Sequence, residues 1–61
     1  VRLHEAVLEL PLKQRLVFNL RYFDDLPYAA IARILGEREQ TLKVNYHYAV
    51  EKLKTKLANH E

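Results

Sequence analysis

A single glycine stands in the whole chain, Gly36, and it falls between two stretches whose apolar residues recur at helical spacing. Before it, Tyr28, Ile31, Ala32 and Leu35 sit at i, i+3, i+4 and i+7, one apolar face over two turns. After it, the same kind of period runs from Arg38 or Glu39 to about Leu57 with no breaker inside. Glycine carries no Cβ penalty in the left-handed conformation that ends many helices. The joint therefore predicts a short helix, a turn of roughly three residues and a longer helix, the helix-turn-helix arrangement. Ala32, small and four residues before the glycine, lets the longer helix cross close to the shorter one. An αα-hairpin in any helical bundle could show the same residues, so the pattern alone fixes geometry and not function.

The rest of the chain adds two more helices. Leu3, Ala6, Val7 and Leu10 make one apolar stripe that ends where Pro11 interrupts. Pro11 suits the first turn of a second helix, because its missing N–H would be unpaired there. That helix runs to about Phe23, with Leu12, Leu16, Leu20 and Phe23 on one face. Val17 and Phe18 widen the stripe, as a helix touched from two sides requires. Asp24-Asp25-Leu26-Pro27 is a break: two turn-forming residues, then a proline that disfavours helix at Leu26. The third helix spans about Pro27 to Leu35. Period-two runs and Asn-Gly or Asp-Gly hairpin turns are absent from the sequence. The expected fold is all-α: a small four-helix domain containing a helix-turn-helix, with a long C-terminal helix.

At 61 residues the chain reads as one small domain, 1–61. A chain of that length buries only about 60% of its unfolded surface, so its core is thin. Without cysteine it has neither a disulfide framework nor a thiolate metal site. His4, His47 and His60 include no pair at i, i+4, so no metal site and no cofactor is expected. No nucleophile–base pair, paired carboxylates or phosphate-cradling glycine loop is present, which argues against an enzyme and leaves no catalytic residue to name. No apolar run approaches the roughly 20 residues of a membrane span. The chain opens VRLHEAVLEL, without an initiator Met or a signal peptide, and reads as a piece of a longer protein. Its net charge of +2 permits a nucleic-acid partner without demanding one.

The long helix carries two faces. At about 100° per residue, Leu42, Tyr46, Ala49, Val50, Leu53 and Leu57 share the core sector. Gln40, Lys43, Val44 and His47 gather roughly 120° away. A cation, an amide, an imidazole and a small apolar group are side chains that can read base edges in a major groove. The first turns of the second helix of a helix-turn-helix are where such side chains enter DNA. Thr41 and Asn45 flank the sector with hydroxyl and amide donors for the DNA backbone. Arg38 joins them at the helix start, where backbone N–H groups favour anions. Lys13, Arg15, Arg21, Lys52, Lys54 and Lys56 are further cations, although a run such as EKLKTK usually marks a solvated face. Glu37 and Glu39 oppose DNA contact but suit the positive helix start. The bland alternative is a solvated face with one exposed valine, which is common.

These residues also carry a resemblance. The run LPLKQRLVFNLRYFDDLPYAAIARILGEREQTLKVNYHYAVEKL resembles region 4 of bacterial sigma factors of the extracytoplasmic-function type, from Leu10 to about Leu57. Its most specific parts are the Leu-Pro opening before KQRLVFNLRYF, the YAAIARILG helix and TLKVNYHYA. The resemblance implies a cytoplasmic domain that binds the −35 element of double-stranded promoter DNA. It also implies docking on the β flap of RNA polymerase and masking by an anti-sigma factor. Gln40, Lys43, Val44 and His47 would then face bases, with Arg38, Thr41 and Asn45 near the backbone. The apolar faces of the first two helices would be shared between the core and those protein partners. The sequence departs from the family where Ala30 replaces a common Glu, Arg38 a Ser, Gln40 a Gly and Val44 a Ser.

Two other readings compete. LKVNYHYAVEKL also resembles the recognition helix of LuxR-type output domains, which bind inverted repeats as dimers. Those domains open differently, with Leu-Thr-x-Arg-Glu and a shorter, less aromatic second helix. A helical protein-interaction module without a DNA role would draw on Tyr22, Phe23, Tyr28, Tyr46 and Tyr48 and the weak net charge. Salt separates the last reading from the first two, since phosphate binding weakens steeply as counterions compete.

Overall fold

A computed structural model describes residues 3–58. His60 and the outermost residues of the expected 1–61 domain lie outside that range. Four α-helices follow one another: α1 (Leu3–Leu8), α2 (Leu12–Phe18), α3 (Tyr28–Leu35) and α4 (Glu39–Ala58). No strand occurs among the described residues, so the all-α expectation holds. Likewise, none of these helices is long and apolar enough to cross a membrane.

α4 is the spine. Its 20 residues extend about 30 Å at 1.5 Å per residue, most of the 38 Å length of the molecule. Two apolar clusters lie along it. Near its middle and C-terminal half, Ala49 and Leu53 pack with Ala6, Val7 and Leu10 from the α1 region and Phe18 from α2. Toward its N-terminus, Leu42 packs with Val17 of α2 and Ile31 of α3. Tyr46 borders both clusters and joins them. Ile31, Leu42 and Val17 are the largest fully buried side chains, each contributing about 1.5–3 kcal/mol through burial. Together they fix the angle at which α3 and α4 cross.

The stripes of α1 and α3 agree with their sequence spacing: Ala6, Val7, Leu10 and Ile31 are buried, with Leu3, Tyr28, Ala32 and Leu35 packed against them. α1 itself closes at Leu8, and Glu9 and Leu10 continue it with bonds to the Ala6 and Val7 carbonyls, both 3.1 Å. The second helix departs from expectation. Leu12, Leu16 and Phe23 are exposed, and the core residues are Val17 and Phe18, which the sequence suggested only as a widening of the stripe. Leu12 and Leu16 stand on the face of α2 opposite to Val17 and Phe18, the pair that packs into the core, and beyond them the period itself changes. After Phe18 the chain does not continue as α-helix but as a π-helical turn over Asn19–Phe23. The Asp24 N–H bonds the Asn19 carbonyl at 3.1 Å, five residues back. This wider turn shifts the phase, so Leu20 points inward and Tyr22 and Phe23 swing to the surface. Leu57 also departs: it is exposed on the wall of an open groove that it shares with Leu3, Tyr22 and Leu53.

Both turns around α3 pass through the left-handed region. Asp25 has φ 55° and Gly36 has φ 68°. At Gly36 the N–H groups of residues 36 and 37 both reach the Ala32 carbonyl, at 2.9 and 3.2 Å. A Cβ built on Gly36 would meet nothing within 4 Å. Glycine is required there by backbone conformation and not by crowding. Pro11 and Pro27 occupy the positions just before α2 and α3, one residue earlier than the sequence suggests for Pro11, and neither end has a side-chain cap. The carbonyl of each still accepts the first helical hydrogen bond, from Arg15 at 2.9 Å and from Ile31 at 3.1 Å.

Candidate nucleic-acid interface

The outer face of α4 is built by the same period that builds its core. Gln40, Lys43, Val44 and His47 stand at i, i+3, i+4 and i+7, and all four are exposed. They therefore form one continuous ridge over two turns, directly after the turn at Gly36. Val44 is 43% exposed, an apolar patch between polar neighbours. Tyr48 is 53% exposed, and its ring lies 5.7 Å from that of His47. Its sequence position off the core stripe left its role open; the structure places it at the margin of the ridge.

The flanking residues divide. Arg38 is exposed, and its carbonyl accepts the first hydrogen bond of α4, from the Leu42 N–H at 3.1 Å. Its own side chain cannot accept a hydrogen bond, so the helix start lacks the cap that Ser or Asp would give. Thr41 and Asn45 are only partly exposed. The Asn45 amide donates to the Thr41 carbonyl at 3.1 Å, and Asn45 lines an apolar groove of about 170 Å³ with Leu12, Leu16 and Leu35. It sits on the side of α4 that faces α2, away from the ridge.

Ion pairs use up part of the remaining basic charge. Lys13 pairs with Glu37 at 2.6 Å, linking α2 to the turn before α4. Lys56 pairs with Glu9 at 2.6 Å, linking the end of α4 to the joint after α1. The Glu9 carboxyl is held below the usual carboxylate range by that hydrogen bond and by the Lys56 charge. Lys54 lies 3.6 Å from Glu51 on the same helix. The Arg15 guanidinium donates to the Leu8 carbonyl at a long 3.4 Å.

Behind the ridge runs a chain of aromatic rings. Tyr22 stacks on Phe18 at 5.0 Å, Phe18 on Tyr46 at 5.7 Å, and Tyr46 meets Tyr28 edge to face at 6.3 Å. Burial raises the Tyr46 phenol above its ordinary value, with a smaller contribution from Tyr28. Tyr28 is thereby fixed at the start of α3, where spacing alone marked it only as a core residue. The Arg21 guanidinium carbon lies 5.1 Å from the Tyr28 ring and the Lys43 ammonium 5.8 Å. Arg21 also donates to the Leu26 carbonyl at 2.9 Å. No sequence signal could have linked residues 21, 28 and 43, because their meeting depends on how α3 crosses α4.

The arrangement offers an exposed ridge of mixed hydrogen-bonding and apolar groups, with cations at its start and side. No group of three or more His, Asp or Glu that could hold a metal occurs among the described residues. The model of the family described as sigma-70, region 4, matches residues 1–53. RNA polymerase sigma factor SigV of Bacillus subtilis (strain 168) is 36% identical to the chain over 59 residues, covering 97% of this chain and 36% of that protein. The chain thus spans about a third of the length of that relative. No solved structure matches the chain significantly.

Proposed function

Because the chain belongs to the sigma-70 region 4 family, we propose that it is the promoter-reading domain of an extracytoplasmic-function-type sigma factor and recognises the −35 element of double-stranded DNA. Gln40, Lys43, Val44 and His47 face base pairs in the major groove, and Arg38, Thr41 and Asn45 approach the backbone. Lys43 suits guanine acceptors, Gln40 suits adenine and Val44 suits a thymine methyl. Backbone contacts position the domain while the ridge specifies sequence. The action is non-covalent, in the cytoplasm, with RNA polymerase as the machine that uses the bound site.

The observation that carries this reading is the ridge itself: four exposed side chains of reading chemistry in register on the first turns of the helix after the left-handed Gly36 turn. The exposed Leu8, Leu12, Tyr22 and Phe23 support a second, protein-binding role. We assign that role to the polymerase β flap, and to an anti-sigma factor that competes with it.

The test is selection of bound duplexes from a random library, at low and moderate salt, with and without RNA polymerase. One short asymmetric site that fades with salt supports the proposal. An inverted repeat would point to a LuxR-type mode of binding. No enrichment under any of these conditions overturns DNA reading and leaves a protein-interaction domain.

A further inference from the structure

We infer that Tyr28 is a positioning residue for Lys43: its ring holds the Lys43 ammonium and so directs this side chain toward one base pair. The inference rests on the proposed reading of the α4 ridge.

A lysine on an exposed helix face samples many rotamers, and ordering it on binding costs conformational entropy. Carboxylates often restrain such a side chain, yet among the described residues none lies within ion-pair distance of Lys43. What approaches it is an aromatic face, with the ammonium 5.8 Å from the Tyr28 ring centroid. A cation over such a ring is attracted by its quadrupole, and the contact lies within the effective range of about 6 Å. The ring is not itself a mobile partner. It rests edge to face on Tyr46, whose ring stacks on Phe18, 4% exposed in the core. Position therefore passes from the core to Lys43 through three rings, each held by the one before it.

Arg21 makes the restraint releasable. Its guanidinium is tied to the Leu26 carbonyl and approaches the same ring, at 5.1 Å. Two like charges sharing one ring repel each other, so Lys43 exchanges the ring readily for a stronger acceptor. Guanine O6 and N7 are such acceptors. An ion pair with a carboxylate would have given up its lysine less easily.

The experiment uses the chain with its selected duplex and a set of single-base-pair variants of that duplex. Tyr28→Phe and Tyr28→Leu are made with Lys43 present and with Lys43→Ala, and thermal melting reports folding. We expect Tyr28→Phe to keep discrimination at the Lys43-dependent base pair. Tyr28→Leu is expected to reduce it about tenfold and to reduce it no further when residue 43 is alanine. Without DNA, the Lys43 ε-CH₂ protons of the unmutated chain should show an upfield ring-current shift, retained in Tyr28→Phe and lost in Tyr28→Leu. Absence of that shift in the unmutated chain overturns the inference without any variant. A Lys43-dependent preference that survives Tyr28→Leu overturns this inference alone. If Lys43→Ala leaves base discrimination intact, the reading of the ridge fails, and this inference with it.

Discussion

Lys13 Nζ lies 2.6 Å from Glu37 Oε2, so the first turn of α2 is tied to the turn that launches α4. Lys13 is largely exposed, and a pair of this kind stabilises by at most about 1 kcal/mol. Its larger effect is electrostatic, because it neutralises a carboxylate beside the proposed DNA face. Lys13→Gln should therefore weaken DNA binding several-fold at low salt, whereas Glu37→Gln should preserve or strengthen it. Titration of both variants against one duplex at two salt concentrations checks this; equal weakening by both would refute it.

Lys43→Ala and Arg38→Ala should differ in kind. Removing Lys43 should relax preference at one base position, by about 1–3 kcal/mol, with smaller changes elsewhere in the site. Removing Arg38 should weaken every duplex alike and make the salt dependence less steep. Binding isotherms over a set of single-base-pair variants separate the two patterns. Arg38→Ser should add about 1 kcal/mol of folding stability by capping α4, while losing the same sequence-independent affinity.

The two left-handed positions predict opposite responses. Gly36→Ala places a Cβ in open space but in a strained conformation, so it should cost about 1–2 kcal/mol with no repacking. Asp25→Gly relieves the corresponding strain at φ 55°, partly offset by the greater freedom of the unfolded chain. Chemical denaturation of both variants should show lower stability for the first and a small gain for the second.

Acid should loosen the joint between α1 and the end of α4. Glu9 has its carboxyl pKa depressed in the folded state by the Lys56 hydrogen bond and charge. Its contribution is thus fully present above the unfolded carboxylate value and is lost as pH falls through the lower folded value. Stability measured against pH should show this loss in the unmutated chain and a reduced one in Glu9→Gln. The Tyr46 phenol shifts the other way: burial favours its neutral form. That contribution is present below the ordinary phenol value, near pH 10, and is lost as pH rises through the raised folded value.

Much of this molecule is legible from period and punctuation. Leu42, Ala49 and Leu53 fall on one helical face and are buried; Gln40, Lys43, Val44 and His47 fall on another and are exposed. That works because α4 is one uninterrupted helix, over which a fixed angle per residue holds. Within α2 the period holds but does not say which face turns inward: Val17 and Phe18 are buried, and Leu12 and Leu16 on the opposite face are exposed. At Phe23 the rule itself fails, because the π-helical turn at Asn19–Phe23 breaks the period and nothing in NLRYF announces it. The angle that sets Asn45 on the flank of the exposed sector does not reveal that α2 half-covers it. The Lys13–Glu37 and Lys56–Glu9 pairs and the approach of Lys43 to Tyr28 are equally invisible in the sequence. They join residues distant along the chain, through crossings that only packing decides.

The π-helical turn has a consequence for how lineages of this domain can change length. A turn closed five residues back holds one residue more than a turn closed four back. Loss of one residue between positions 19 and 23 would let an ordinary α-turn close in its place, with the axis of α2 and the helix-turn-helix beyond it kept. The outward aromatic pair Tyr22 and Phe23 would be the part rearranged. Such a deletion would remodel the exposed apolar surface at Tyr22 and Phe23 while sparing the exposed ridge of Gln40, Lys43, Val44 and His47 on α4. One residue more or less in that turn would thus alter one surface and leave the other in place.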